Sequence, residues 1–404
     1  MNDEPLDSDL DVQTLLVHAG NARRNLRSTA LSIYPSTSFI ADSPEQLDDI
    51  MAERVHGYSY ARHSNPTVDG LTDAVKRLEQ AETVIATGSG MAAIDAALFA
   101  TGLRMGDTVL LSRDLYGASL NLVGKVWSQY GIEFVVVDLT DLQTVETTLK
   151  QLRPKVMLFE TVSNPLLKVV DAPALVKMAH EVSCQVIVDS TFTTPLMTRP
   201  LTFGADLVVH SATKYLGGHG DAMGGIVAAG NAKYHDALHQ YLKLRGGVLG
   251  PFEAWLIHRG LQTLAVRFER QCANAWELAT RLEETGRLRA VYHPFLASHP
   301  TVETAKRLLP KNLGGAVVTL ELDGGRREAY QFLKALKVVR PATTVGDVYT
   351  LCLYPLVASH RNQTEEERLS MGITEGTVRL AVGLEHPDDI YADIVQAVEA
   401  AVRV

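Results

Sequence analysis

The stretch DLVVHSATKYLGGHGD, residues 206–221, carries an apolar run into a polar turn holding Ser211, Thr213 and Lys214, with Gly217, Gly218 and Gly220 behind it. Apolar residues without polar alternation predict a strand covered on both faces, as in a parallel sheet. A lysine just past the end of such a strand points into the crevice where open α/β sheets bind ligands. Ser211 and Thr213 precede it closely and offer hydroxyls to a phosphate, while the glycines let backbone approach closely. Taken alone, Lys214 reads as a surface lysine, and the functional reading needs the residues at the other strand ends.

The same pattern recurs outward from this stretch. Short apolar runs stand at 83–86 (TVIA), 108–111 (TVLL), 133–137 (EFVVV), 155–159 (KVMLF) and 185–188 (QVIV). Helical stretches such as 91–101 and 173–183 fall between them, and 66–81 spaces Leu71, Val75 and Leu78 as an amphipathic helix does. Alternating strands and helices predict an α/β layer architecture with a mostly parallel central sheet. The first 13 or so residues read as a solvated tail, and the chain is irregular from there to about Arg62. Around residue 250 the pattern changes to one long helical stretch over 253–288, strands at 315–322 and 377–382, and a terminal helix over 386–404. Single cores stop growing at roughly 250–300 residues. The expected division is therefore an N-terminal arm, 1–62, a large α/β domain, 63–260, and a smaller C-terminal α+β domain, 261–404.

Composition narrows the class without naming a chemistry. The 404 residues are 46 % hydrophobic and 21 % charged with a net charge of −9, which is globular material lacking the clustered positive charge that nucleic acid or an anionic membrane requires. Cys184, Cys272 and Cys352 are dispersed, with neither a disulfide framework nor metal-ligand spacing, so no metal is expected. The acidic start MNDEPLDSDLD has no signal-peptide pattern and no run is long enough to span a bilayer, which predicts a cytoplasmic protein.

Other strand ends carry polar residues of their own. Asp189 ends the apolar run of VIVDSTFTTP (186–195), either as a helix N-cap or as a buried carboxylate that needs a cation, such as a protonated pyridine nitrogen. TVIATGSGMAAIDAAL (83–98) passes from a strand through Gly88-Ser89-Gly90 into a strong helix former, a turn whose free N–H groups suit phosphate. Tyr116 follows another strand end and either packs in the core or lies on a planar ring. Glu160 and Asn164 sit at the edge of the next strand, and Arg379 interrupts an apolar one, paired with a structural partner or with a bound carboxylate. Together they assemble a lysine for a Schiff base, a pyridinium partner, phosphate donors, a stacking ring and a carboxylate clamp, the set that pyridoxal phosphate requires.

The segments SATKYLGGHGD, VDSTFTTP, ATGSGMAAI and YARHSNPT resemble the Cys/Met-metabolism (transsulfuration) family of pyridoxal-phosphate enzymes, over nearly the whole chain from about residue 14. The resemblance implies PLP fold type I, the aspartate-aminotransferase-like fold. It implies Lys214 as Schiff-base lysine, Asp189 on the pyridinium, Tyr116 stacked on the ring and acting as an acid/base, and Ser211, Thr213, Gly90 and Met91 along the phosphate. Asn164 touches the ring's hydroxyl side, and Arg379 with Thr344 holds the substrate carboxylate. Tyr60 and Arg62 match the family motif that reaches the phosphate of the neighbouring subunit, which implies a homodimer with shared sites, commonly paired into a homotetramer.

Departures from the family patterns bear on the substrate. Ala118 stands where methionine γ-lyases usually carry cysteine, Leu244 where they carry aspartate, and Thr343 where cystathionine enzymes typically carry glutamate. Tyr349, Tyr354 and Arg361 in TTVGDVYTLCLYPLVASHRN (343–362) also differ from the usual pattern. The expected activity is α,γ-elimination on a γ-substituted L-amino acid such as methionine, homocysteine or an O-linked analogue. The alternative is γ-replacement, as in cystathionine γ-synthase or O-acetylhomoserine sulfhydrylase. Cystathionine β-lyase, aminotransferase and non-catalytic cofactor-binding readings rank below these.

Overall fold

A computed structural model describes residues 10–18, 28–361 and 363–402; the remainder of the expected arm, 1–9 and 19–27, lies outside the described residues. The central element is a seven-stranded sheet of β1 (Thr83–Thr87), β2 (Thr108–Ser112), β3 (Glu133–Val137), β4 (Val156–Glu160), β5 (Gln185–Asp189), β6 (Leu207–Ser211) and β7 (Gly225–Ala229), in the order β1-β7-β6-β5-β4-β2-β3. The run from β3 to β6 is parallel, and β7 is antiparallel to both β6 and β1. β1 therefore points the same way as β6, and the C-terminal ends of β1 to β6 share one edge of the sheet.

Alternate residues of each strand fill opposite faces. Val109, Leu111, Leu158, Ile187 and Val209 pack on Ala93 and Ala97 of the helix Gly90–Ala100. Leu110, Met157, Phe159, Val186 and Val188 pack on Val145, Leu149, Leu175 and Val176 of the helices Leu142–Leu152 and Ala172–Glu181. A second, five-stranded sheet is built from β8 (Ala290–Tyr292), β9 (Val317–Glu321), β10 (Arg340–Pro341), β11 (Leu351–Leu353) and β12 (Thr377–Ala381), in the order β10-β11-β12-β9-β8. Phe332, Ile390 and Ile394 of the helices Arg326–Ala335 and Pro387–Val402 cover it. A mostly parallel sheet with a smaller C-terminal sheet-and-helix layer is the fold type I architecture.

The structure departs from the sequence reading in four respects. The long helix over 253–288 is two helices, Pro251–Leu261 and Leu264–Glu284. They part where Arg267 takes Gly260 O (2.8 Å) and Tyr215 O (3.1 Å), and where a Cβ on Gly260 would stand 2.1 Å from Gly217 O, so the break lets the helix press on the lysine loop. Within the stretch read as irregular lie the helices Val12–His18 and Pro44–Met51, the second capped by Ser43. β3 is an edge strand whose Phe134 and Val136 are 45 % and 44 % exposed, so it is not covered on both faces. β7, and β8, β10 and β11 in the smaller sheet, correspond to no strand expected from the sequence. No helix among the described residues is long and apolar enough to cross a membrane.

Candidate active site

A cavity of about 280 Å³ opens at the C-terminal edge of the large sheet, lined by groups that follow β1, β2, β4, β5 and β6 and closed by residues of the C-terminal region. Lys214 lies three residues beyond β6, and its Nζ donates to Thr344 Oγ1 at 2.8 Å. Burial, and then the neighbouring Arg379 guanidinium, pushes the lysine down to about 8. Both disfavour a second cation in this space.

Asp189 ends β5. Its Oδ1 accepts the Thr191 N–H (3.0 Å) and hydroxyl (2.5 Å), while Thr191 Oγ1 accepts the Ser211 N–H (2.8 Å) and so ties β5 to β6. The N-cap alternative for Asp189 thus has a local counterpart in the Thr191 N–H, yet the carboxyl also lines the cavity. Burial raises its pKa and the Thr191 bonds oppose the rise. A cationic partner such as a pyridinium would complete this compensation.

At the end of β1, Ser89 caps the helix Gly90–Ala100 by accepting the Ala92 N–H. The first N–H groups of a helix have no acceptor one turn back, which leaves those of Gly90 and Met91 for a bound anion. A Cβ on Gly90 would stand 2.8 Å from Ser211 Cβ, so only glycine lets the β1 turn close on the β6 turn. Thr213 Oγ1 donates to Gly224 O (3.2 Å) and accepts Gly224 N–H (3.0 Å), which holds the lysine turn against the start of β7.

Tyr116 opens the short helix Gly117–Asn121, lines the cavity, and donates its backbone N–H to Glu160 Oε1 at 2.9 Å. Arg379, central in β12, is buried; its Nη1 donates to Asn164 Oδ1 (2.8 Å) and Nη2 to Thr344 O (3.1 Å), while Nε has no partner. An arginine held on one side and unsatisfied on the other is set up to receive a carboxylate. Burial lowers its pKa to about 10, which leaves it charged at neutral pH.

Of the residues singled out in the sequence, Gly90, Met91, Tyr116, Asn164, Asp189, Ser211, Thr213, Lys214, Thr344 and Arg379 line this one cavity. Tyr60 and Arg62 do not. Tyr60 bridges Ser38, and Arg62 donates to Lys243 O at a separate cavity of about 640 Å³. Sequence reasoning missed Thr191, Phe192, Met223 and Val345, which also line the site. Among them only Thr191, two residues past the strand-end aspartate, left a readable signal.

The donor set fits pyridoxal phosphate. Lys214 would meet an aldehyde, Asp189 a ring nitrogen, Tyr116 a ring face, and the Gly90–Met91 N–H groups with Ser211 a phosphate. A family model described as Cys/Met metabolism PLP-dependent enzyme matches residues 13–399. The chain is 41 % identical over 388 residues to an L-methionine gamma-lyase of Fusobacterium nucleatum, covering 96 % of this chain and 97 % of that protein. It is 37 % identical over 398 residues to an O-succinylhomoserine sulfhydrylase of Pseudomonas aeruginosa, covering 98 % of each. Among solved structures, cystathionine gamma synthase of Xanthomonas oryzae pv. oryzae in complex with cystathionine superposes with a TM-score of 0.92 at 34 % identity, over 98 % of this chain and 99 % of that one.

Proposed function

The chain belongs to the Cys/Met-metabolism family of pyridoxal-phosphate-dependent enzymes, and on that premise we propose that it catalyses α,γ-elimination on a γ-substituted L-amino acid with an apolar γ-group, such as methionine. The observation that carries this reading is the outer wall of the cavity. Beyond Lys214, Asp189, Glu160 and Arg379, the described lining residues are uncharged, with Phe192, Met223 and Val345 adding apolar surface. Within one protomer, a substrate with a charged distal end would find no further ionic partner among the described lining residues, whereas a thioether would bury apolar surface.

When bound, pyridoxal phosphate supplies an electron sink for charge that develops at the substrate's Cα. Arg379 binds the substrate carboxylate through its free Nε edge, with Asn164 and Thr344 fixing the guanidinium plane. Lys214, with a pKa near 8, is matched to taking and returning protons at Cα and Cβ at neutral pH. Tyr116, which lines the same cavity, would cover the ring and exchange a proton with the amine or the leaving group. Asp189 holds a positive charge at the ring nitrogen, oriented by Thr191.

Tyr60 and Arg62 serve the neighbouring protomer's phosphate in this proposal, which makes the working unit at least a homodimer, with a homotetramer as its pairing. Their separation from the Lys214 cavity within one chain supports this. The second reading, γ-replacement with a thiol on an activated homoserine ester, is favoured by similarity to the sulfhydrylase and synthase. Incubating the enzyme with methionine, cystathionine or O-acyl homoserines, with and without added thiol, separates the two. Release of a 2-oxo acid and ammonia without thiol is expected; turnover only in the presence of a thiol overturns elimination.

A further inference from the structure

One buried titratable group in the cavity has no role in the reaction above. Glu160 ends β4 directly beside Asp189, its register partner at the end of β5. Paired residues on neighbouring parallel strands share a face and lie about 4.8 Å apart along the hydrogen-bonding direction. Two carboxyl groups thus stand side by side in the floor of one cavity, at 8 % and 9 % exposure.

Their surroundings differ. Asp189 Oδ1 accepts two hydrogen bonds from Thr191, which stabilise its charged form. Glu160 accepts one, the Tyr116 N–H on Oε1, and its buried Oε2 has no partner. The charged groups facing it are Asp189 from β5, Asp114 from the turn after β2 and Arg379 from β12, with Lys214 across the cavity. Asp114 is occupied by Lys168 at 2.9 Å, Arg379 directs its Nη groups to Asn164 and Thr344, and no ion pair to Glu160 forms among the described residues.

We propose that Glu160 is a positioning residue that works as an uncharged carboxylic acid, fixing Tyr116 through Oε1 while leaving Asp189 as the single anion beneath the cofactor ring. Like charges this close do not both ionise, and the proton goes to the group with fewer donors. Burial and the adjacent Asp189 both raise the Glu160 pKa well above the usual carboxylate range, in agreement with the geometry. The consequence for the site is specific. A second carboxylate would double the negative charge offered to the ring, whereas a neutral acid keeps the Tyr116 turn in place without adding charge. Gly117, next in the chain, packs close to the Ser359 carbonyl, which an added Cβ would meet at 2.6 Å.

The inference rests on cofactor binding and not on which reaction the enzyme performs, so its readouts come from the cofactor-loaded enzyme before substrate is added. In a difference infrared spectrum of wild type minus Glu160→Gln, the expected signal is the C=O band of a protonated carboxyl. A carboxylate pair of bands in its place overturns the proposal. In a pH titration of the visible cofactor absorbance, Glu160→Gln keeps the wild-type midpoint. Were Glu160 an anion, removing it would lower the midpoint by on the order of one unit, since a nearby negative charge favours the protonated form.

The positioning role is read from the induced circular dichroism of the cofactor and from kcat. Glu160→Ala loses the dichroism and about tenfold in kcat, the effect of leaving a buried N–H without its acceptor, and Glu160→Gln recovers most of both. Unchanged dichroism and kcat in Glu160→Ala overturn it. If that variant does not fold, the two Glu160→Gln measurements still decide. A wild-type protein with no visible cofactor band sinks the cofactor assignment together with this proposal, while a normal band over a charged Glu160 sinks the proposal alone.

Discussion

Lys214 should attach cofactor at a pH where an ordinary lysine is still protonated. Only a neutral amine can attack an aldehyde, and burial with the Arg379 charge places the Lys214 pKa at about 8. At pH 7.5 roughly a quarter of such amines are neutral, against roughly one in a thousand at the unperturbed value near 10.4, a difference on the order of two hundredfold. The assay is recombination of cofactor-free enzyme with pyridoxal phosphate, followed by the growth of visible absorbance between pH 6.5 and 10. The phosphate stays dianionic above about pH 7, so the amine dominates the profile. The rate is expected to climb about tenfold per unit and flatten just above pH 8.

Arg379 provides an internal control. Its Nη2 reaches Thr344 O and Lys214 Nζ reaches Thr344 Oγ1, so the two cations are anchored to one residue. Arg379 lowers the Lys214 pKa through its charge, and Arg379→Gln should move the break upward by on the order of one unit. The sign extends to stability. Because the folded pKa lies below the unfolded one, this group destabilises the cofactor-free fold fully below pH 8, and the penalty fades as pH rises towards 10.5. A recombination rate that keeps climbing tenfold per unit through pH 10 refutes the reasoning.

Arg379→Gln should also raise KM for amino-acid substrates by about a hundredfold, the loss of a charge-assisted pair, while the cofactor band in absorbance remains; an unchanged KM excludes Arg379 from the carboxylate. Gly90→Ala places a methyl 2.8 Å from Ser211 Cβ and should weaken cofactor binding about tenfold or more in equilibrium dialysis, whereas wild-type affinity would mean that the two turns do not meet as described. Arg62→Ala and Lys214→Ala chains, each inactive alone, should regain about a quarter of wild-type activity when unfolded together and refolded, since half the dimers then hold one intact site. No recovery would show that Arg62 acts within its own chain.

The sequence was most legible where burial is symmetric. β2, β4, β5 and β6 are covered on both faces, so their apolar runs stood out. β7, GIVAA, is glycine-led and alanine-rich, and its antiparallel insertion between β1 and β6 leaves no local mark in the sequence. The helix Pro44–Met51 has its Ser43 cap, leading proline and an apolar stripe of Leu47, Ile50 and Met51 in plain view, but it is only 8 residues long and buries none of them. In the site, groups at strand ends were readable because a polar residue closing an apolar run is conspicuous in one dimension. Thr191 depends on β5 lying next to β6, and Met223 and Val345 reach the cavity from loops far apart in the chain. Glu160 was noticed, but its neighbour Asp189 lies across a strand pairing that no sequence spacing reveals.

The charge balance of the cavity explains how a chain of net charge −9 accommodates a phosphate and a carboxylate together. Within one protomer the site offers Lys214 and Arg379 against Asp189, with Glu160 neutral in our reading. That is one net positive charge for two anionic groups, too few without the dipolar N–H groups at the helix start and a further cation. At physiological ionic strength the remaining acidic surface is screened beyond about 8 Å, so what matters is the nearest charge. Arg62 of a neighbouring protomer is the cation assigned to that place by the dimer proposal. If the phosphate contributes to holding Arg62 at the interface, then assembly must tighten cofactor binding by the same factor by which cofactor tightens assembly. A shared site of this kind makes folding of the arm, pairing of the chains and loading of the cofactor a single linked equilibrium.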